Sequence, residues 1–168
     1  MISPAGTRRL LEREPELAND PRLKLYPQWI HEQLVSRPMN SLAALVDPTA
    51  GSGRMVLDIM HAGGLIVAGT DTPNALNLHG ELMAYTMAGM TPYEALKAAT
   101  VNPARALGVD TGTIEPGKLA DLVIVEGDPL ADIANAHKVK RVIANGRVYE
   151  MSQLLAGTTP NRPSSPQR

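Results

Sequence analysis

Leu65-Ile66-Val67-Ala68-Gly69-Thr70-Asp71 is the stretch whose reading decides the fold. Four apolar residues stand in a row, then Gly and Thr, then a single carboxylate. A short continuous apolar run suits a strand covered on both faces, as in a parallel sheet. Asp is depleted in strands, and the carboxyl ends of strands are where α/β folds collect their chemistry. Asp71 therefore either caps the following turn or works in a site, and the residues of this stretch alone leave both open.

Working outward, Arg54 to Ala62 reads as a helix with Met55 and Ile59 turned inward, and with Leu57 or Met60 beside them. Gly63 and Gly64 close it. A helix leading directly into a buried strand is half of a parallel α/β repeat. After the strand come three helices with clear punctuation. One runs from His79 to Ala88 and stops at Gly89. The second opens Thr91-Pro92-Tyr93-Glu94, a capping box with proline at the first helical position. The third opens at Asn102-Pro103, with Asn102 as its cap, and closes at Gly108. Met83, Met87 and Met90 fall at helical spacing and are expected in the core.

Beyond Gly108 the pattern turns to β. Glu115-Pro116-Gly117-Lys118 fits a type II turn. Leu122 to Val125 reads as a second buried strand, and Val139 to Ala144, Asn145-Gly146 and Arg147 to Tyr149 as a hairpin. Before Arg54 the signals are weaker: surface helix and loop from Thr7 to about Trp29, a helix from Gln28 to Val35, and a short apolar stretch, Ser41 to Val46, that is helix or strand. The region after Ala156 is rich in Pro, Ser and Thr and is expected to be a disordered tail.

Composition excludes several functions. The 16 basic and 17 acidic residues give a net charge of −1, which provides no electrostatic footprint for nucleic acid or an anionic membrane. The cluster Lys138 to Arg141 lies on a predicted strand, where alternation sends Lys138 and Lys140 to solvent. With no Cys there is no disulfide, thiolate metal site or thiol catalysis. No apolar run approaches the roughly 20 residues that span a bilayer, and no secretory leader is visible at the start of this chain, which leaves its location open. Hydrophobic residues make up 43%, but aromatics only 3%, so aliphatic side chains and the eight Met must fill the core.

The order of motifs carries a resemblance. Gly69-Thr70-Asp71 is followed by His79-Gly80-Glu81-Leu82, by Ala88-Gly89-Met90-Thr91-Pro92-Tyr93-Glu94-Ala95-Leu96, and by Ala98-Ala99-Thr100-Val101-Asn102-Pro103-Ala104. Then come Gly112-Thr113-Ile114-Glu115-Pro116-Gly117-Lys118-Leu119-Ala120-Asp121-Leu122-Val123 and Gly127-Asp128-Pro129-Leu130. From about Arg54 to Glu150 this resembles the carboxyl-terminal part of a metal-dependent amidohydrolase of the imidazolonepropionase-like or prolidase-like kind. The resemblance implies an α/β fold: the last portion of a (β/α)8 TIM-type barrel over residues 1–110, then the returning strands of a small β-sandwich over 111–150, with residues 151–168 as tail. The barrel in this chain is incomplete.

The resemblance also implies chemistry. Leu65 to Gly69 matches the eighth barrel strand. Asp71 matches the aspartate that ligates the metal and carries a proton from the attacking water to the leaving amine. The implied cofactor is a divalent metal, most often zinc. The implied reaction is hydrolysis of carbon–nitrogen bonds, other than ordinary endopeptidase cleavage, in cyclic amides, acyl-amino acids or dipeptides.

The family's first-strand His-x-His pair, its bridging lysine and its two later histidines have no counterpart here. The chain is therefore expected to be the last third of an enzyme, inactive alone, with a partner chain or further copies completing the barrel. The alternative is a non-catalytic module that pairs with another chain.

The remaining polar residues sort by position. His79 follows Asp71 on the same side of the barrel and is either a first-turn helix residue or a contact to substrate. Glu81 reads as a first-turn acid facing the helix dipole. Thr70, Thr72, Asn74 and Asn77 surround Asp71 in sequence and either satisfy local backbone or touch substrate. His61 closes the helix before the strand; at roughly 3.3 Å per strand residue it stands on the order of 20 Å from Asp71. His31 and His137 have no partner at ligand spacing and are expected at the surface.

Overall fold

The computed structural model describes residues 3–25, 51–70 and 75–156. The expectations for Gln28–Val35, Ser41–Val46, His31, Thr72, Asn74 and the tail from residue 157 onward lie outside those residues, and so does Asp71. Helix α1 spans Ser3–Arg13 and is followed by two short 3₁₀ helices, Pro15–Asn19 and Pro21–Leu25. Next come α2 (Gly51–His61), α3 (Ala75–Ala88), α4 (Pro92–Ala99) and α5 (Val101–Leu107). Strand β1 (Leu122–Val125), a 3₁₀ helix (Ile133–His137), β2 (Val139–Ala144), β3 (Arg147–Glu150) and α6 (Met151–Ala156) complete the order. Helix α6 falls where a tail was expected.

The centre of the molecule is α3 rather than the Leu65 stretch. Gly80, Glu81, Leu82, Met83, Ala84 and Tyr85 are all buried, so α3 is covered on every side over this length. It begins at Ala75, ahead of the expected start at His79. That earlier start places Glu81 in mid-helix with only 4% of its surface exposed, which corrects its reading as a first-turn acid. Burial, and then the neighbouring Glu81 carboxylate, hold the Tyr85 proton more tightly than usual. Met83 and Met90 are buried and Met87 packs on the same cluster, as the spacing predicts.

Helix α1 was expected at the surface, yet its Ala5, Thr7 and Leu10 are buried. Small residues explain why. A methyl group built on Gly6 would lie 1.8 Å from Gly80 O and 2.6 Å from Ala84 N, so the two helix backbones cross in direct contact.

On α2 the inward face is Val56, Leu57 and Met60; Met55 and Ile59, expected inside, are 57% and 43% exposed. The helix packs on α3 along the Leu57 stripe, and its other face has no cover among the described residues. The Leu65–Gly69 run differs from expectation for the same reason. It forms no ladder with any described residue, and its burial alternates: Ile66 and Ala68 lie on the core cluster, while Leu65 and Val67 are exposed. One face is covered by helices, and the other is open among the described residues.

The helix punctuation holds at α4. Thr91 Oγ1 accepts from Glu94 N at 3.2 Å, and Glu94 Oε2 accepts from Thr91 N at 2.8 Å. The Thr91 amide and hydroxyl hold the Glu94 carboxyl below the usual carboxylate range. Thr91→Ala, which removes one half of this reciprocal pair, is expected to cost about 1 kcal/mol, read as a lower urea midpoint with an unchanged slope. Gly108, with φ of 66°, closes α5. Asn102, expected as the cap of α5, instead lies inside its first turn, because Val101 already belongs to the helix.

The sheet is an antiparallel meander in the order β1-β2-β3. Val142 lies between Val123 and Tyr149 in register, and the register shifts between Ile124 and Val125. Asn145 and Gly146 both take positive φ, 49° and 75°, as the favoured two-residue hairpin turn requires. Strand β1 was expected to be buried, but Val123 and Ile124, on opposite faces, are 61% and 44% exposed; β1 is an edge strand among the described strands. The type II turn is present, with Lys118 N donating to Glu115 O at 3.2 Å and Gly117 at φ of 91°.

Candidate functional site

Two described elements flank Asp71 in sequence: the Leu65–Thr70 segment before it and the first turn of α3 after it. The first is held from one side by the junction of α4 and α5. Ala68 N donates to Ala98 O at 2.7 Å, and Asn102 Nδ2 donates to Ile66 O at 2.7 Å. The second leads to His79, one turn into α3.

His79 sits at a junction of four elements. Its ring meets that of His137 edge to face, with centroids 6.3 Å apart. Its Nδ1 is buried without a hydrogen-bond partner among the described residues. Burial, followed by the His137 and Arg22 charges, lowers its pKa from the ordinary 6.5 to about 4. The imidazole is thus neutral near pH 7.

His137, expected at the surface, is 5% exposed. The 3₁₀ helix Ile133–His137 carries it inward, and a partner distant in sequence receives it: Nε2 lies 2.7 Å from Glu14 Oε2. Glu14 Oε1 also stands 3.4 Å from Lys138 Nζ. Arg22 Nη1 donates to His137 O at 2.6 Å while its guanidinium grips Asp20, whose carboxyl it holds below the usual range. Arg13 pairs with Asp132 in the same way across the same seam. These contacts fasten the end of α1 and the stretch after it to the 3₁₀ helix Ile133–His137 and the residues that cap it.

Beside them lies a cavity of about 220 Å³ lined by His79, His137 and a mostly aliphatic wall that includes Leu17, Leu76, Val139 and Val142. A larger hollow of about 350 Å³ lies between Gly63-Gly64, Ile66, Lys97 and Arg105, at the end of the segment remote from Asp71 in sequence. The structure thus brings His79 together with His137, a residue that sequence reading left aside. It keeps His61 apart, exposed at the end of α2. Glu14, His137 and Asn102 carried no usable signal, because each finds its partner far along the chain.

Among the described residues, no group of three or more His, Asp or Glu side chains could hold a metal ion. The described part of the chain does not by itself fit the divalent-metal centre that the resemblance implies. Among those residues, too, no helix is long and apolar enough to cross a membrane.

Comparison with known proteins follows the fold. The chain is similar to a solved Xaa-Pro dipeptidase with bound methionine in the active site, with a TM-score of 0.55 and 24% identity over 88% of this chain and 33% of that one. It is also similar to a solved amidohydrolase, with a TM-score of 0.51 and 24% identity over 70% and 28%. These likenesses concern the fold and agree with a partial barrel.

Among curated relatives, an ochratoxinase of Aspergillus niger is 36% identical over 133 residues, 75% of this chain and 26% of its own length. An imidazolonepropionase of Deinococcus deserti is 36% identical over 91 residues, 51% and 22%. An adenine deaminase of Methanosphaera stadtmanae is 44% identical over 73 residues, 43% and 12%. The chain thus spans 12% to 26% of the length of these relatives. The sequence profile described as the Amidohydrolase family matches residues 30–149, most of the chain, and so the protein belongs to the amidohydrolase family.

Proposed function

We propose that the chain is the carboxyl-terminal part of a metal-dependent amidohydrolase that cleaves carbon–nitrogen bonds of small amides, and that it does not turn over alone. The observation that carries this reading is the Leu65–Thr70 segment. It has the alternation of a strand, one face laid on helices and the other open, and it leads directly into Asp71 in a chain of this family. Residues 1–110 are then the end of the barrel and 111–150 the returning strands of the sandwich. The names of the relatives, among them imidazolonepropionase, ochratoxinase and Xaa-Pro dipeptidase, support cyclic amides, acyl-amino acids and dipeptides as substrate classes.

Asp71 is the residue assigned to the chemistry, as metal ligand and as the carboxylate that takes a proton from water and returns it to the leaving amine. A divalent cation, with zinc the first choice, supplies the activation of that water in the complete enzyme. His79 is not placed in that role. Its neutral, buried ring against His137 supports a structural part, and substrate contact through it is the weaker reading.

A second reading is favoured by the same open face: Met55, Ile59, Leu65 and Val67 are exposed together on α2 and the segment that follows it. Exposed apolar groups of this kind mark an association surface, which fits a non-catalytic module that pairs with another chain.

One experiment tests both. The purified chain, stripped of loosely bound ions, is measured for zinc per chain, for size by light scattering, and for hydrolysis of acyl-amino acids and dipeptides with added Zn²⁺. The expected result is well below one zinc per chain, associated material and no turnover. Turnover that disappears in Asp71→Asn would overturn inactivity alone and uphold the residue; turnover retained in Asp71→Asn would overturn the assignment of Asp71.

A further inference from the structure

Asn102 has a place in the structure that its sequence context does not announce. In an extended chain, the carbonyl of one residue and the amide of the residue two further on point to the same edge, where a neighbouring strand would bind both. Ile66 O and Ala68 N are such a pair. No strand binds them among the described residues. The junction of α4 and α5 does so instead: Ala98 O accepts from Ala68 N, and Asn102 Nδ2 donates to Ile66 O, each at 2.7 Å.

Ala98 lies in the last turn of α4, where helix carbonyls lack partners within the helix. Asn102 lies in the first turn of α5. Between them the chain breaks at Thr100, with φ of −129° and ψ of −77°. The break lets one carbonyl and one side-chain amide stand side by side and mimic the edge of a strand.

We propose that Asn102 is a positioning residue for Asp71. Its side chain supplies the donor that a neighbouring strand would otherwise give to Ile66 O, fixes the course of Leu65–Thr70, and so holds the segment that leads in sequence to Asp71. The inference rests on the role proposed for Asp71 above. It assigns to Asn102 no contact with substrate or metal.

The test uses the full chain and two reporters: hydrogen exchange of the Ala68 amide and the carboxyl-carbon resonance of Asp71. Asn102→Leu keeps the volume and removes the donor; Asn102→Asp sets a carboxylate against the Ile66 carbonyl; Asn102→Gln retains an amide. Exchange at Ala68 is expected to quicken roughly ten- to a hundredfold in Asn102→Leu and further in Asn102→Asp, with partial recovery in Asn102→Gln. The Asp71 resonance is expected to shift in the first two, while amides of β2 and β3 keep their protection.

Unchanged Ala68 exchange and an unchanged Asp71 resonance in Asn102→Leu would overturn the proposal, since a side chain that only fills space predicts that result. Uniform loss of protection through α3 and the sheet would overturn it too, as a general structural role. Asp71→Asn is expected to leave Ala68 protected. A failure of the catalytic assignment therefore shows in hydrolysis assays, and a failure of the tether in exchange.

Discussion

Gly6→Ala is expected to destabilise the chain by roughly 2–3 kcal/mol, with α1 loosening from α3. The argument turns on which atoms meet. The added methyl would lie 1.8 Å from Gly80 O and 2.6 Å from Ala84 N. Both are backbone atoms of a helix covered on every side, so neither can move aside as a side-chain tip would. Relief requires α1 to back away, which uncovers Leu10 and Ala5, both 1% exposed. Alanine also gains about 1 kcal/mol of helix propensity over glycine, so the two effects oppose each other in sign.

In an exposed helix the propensity gain would win and the variant would be more stable. Here the contact wins, because the separation is far inside van der Waals range. Urea unfolding of Gly6→Ala beside Arg8→Ala, a change at an exposed position of the same helix, reads the difference. Exchange at α1 amides shows whether the loss is local. A Gly6→Ala protein at least as stable as the parent would mean that the α1–α3 crossing is wrong.

How legible this fold was in the sequence depends on the range of the interaction. Thr91-Pro92-Tyr93-Glu94 and Asn145-Gly146 were readable because every group that makes the cap or the turn lies within four residues. The motif order likewise named the family, which the profile match over residues 30–149 bears out. Burial was less readable. The apolar run Leu65–Gly69 carries the composition of a strand covered twice, but composition cannot say whether neighbours are present to cover it.

His137 reads as a lone polar residue until Glu14, 123 positions away, is brought to its ring. Asn102-Pro103 resembles a cap, yet the hydrogen bond it makes runs to Ile66, 36 positions away. Helix α1 failed in the other direction: the stretch from Thr7 reads as surface helix and loop, when the missing side chain of Gly6 is what lets α1 enter the core. The resemblance assigns the chemistry to Asp71, whereas the long-range contacts of His79, His137 and Asn102 had no counterpart in local sequence.

Acidification is expected to weaken the junction around His79 before it reaches Asp20 and Asp132. The His79 pKa falls from the ordinary 6.5 to about 4 in the folded chain. Between those values the unfolded chain binds more protons than the folded one, so stability falls as pH falls. Over the whole interval the loss is on the order of 3 kcal/mol.

Asp20 and Asp132 are also held below their ordinary value of 3.8, by Arg22 and Arg13. Their stabilising effect is present above that value and is lost below it, so their window lies lower and can be separated. Burial is the first cause of the His79 direction, and the groups around the ring add to it. His137 and Arg22 oppose a positive charge there, the Glu14 carboxylate is already engaged by His137 and Lys138, and Asp20 by Arg22.

Unfolding free energies measured from pH 7.5 to pH 4 should decline in the parent chain. They should decline much less in His79→Gln, which cannot titrate. Equal slopes in the two would place the acid sensitivity elsewhere and remove His79 as its source. With the expected slopes, protonation of the His79 imidazole costs stability in a pH window above the one in which Asp20 and Asp132 lose their charge.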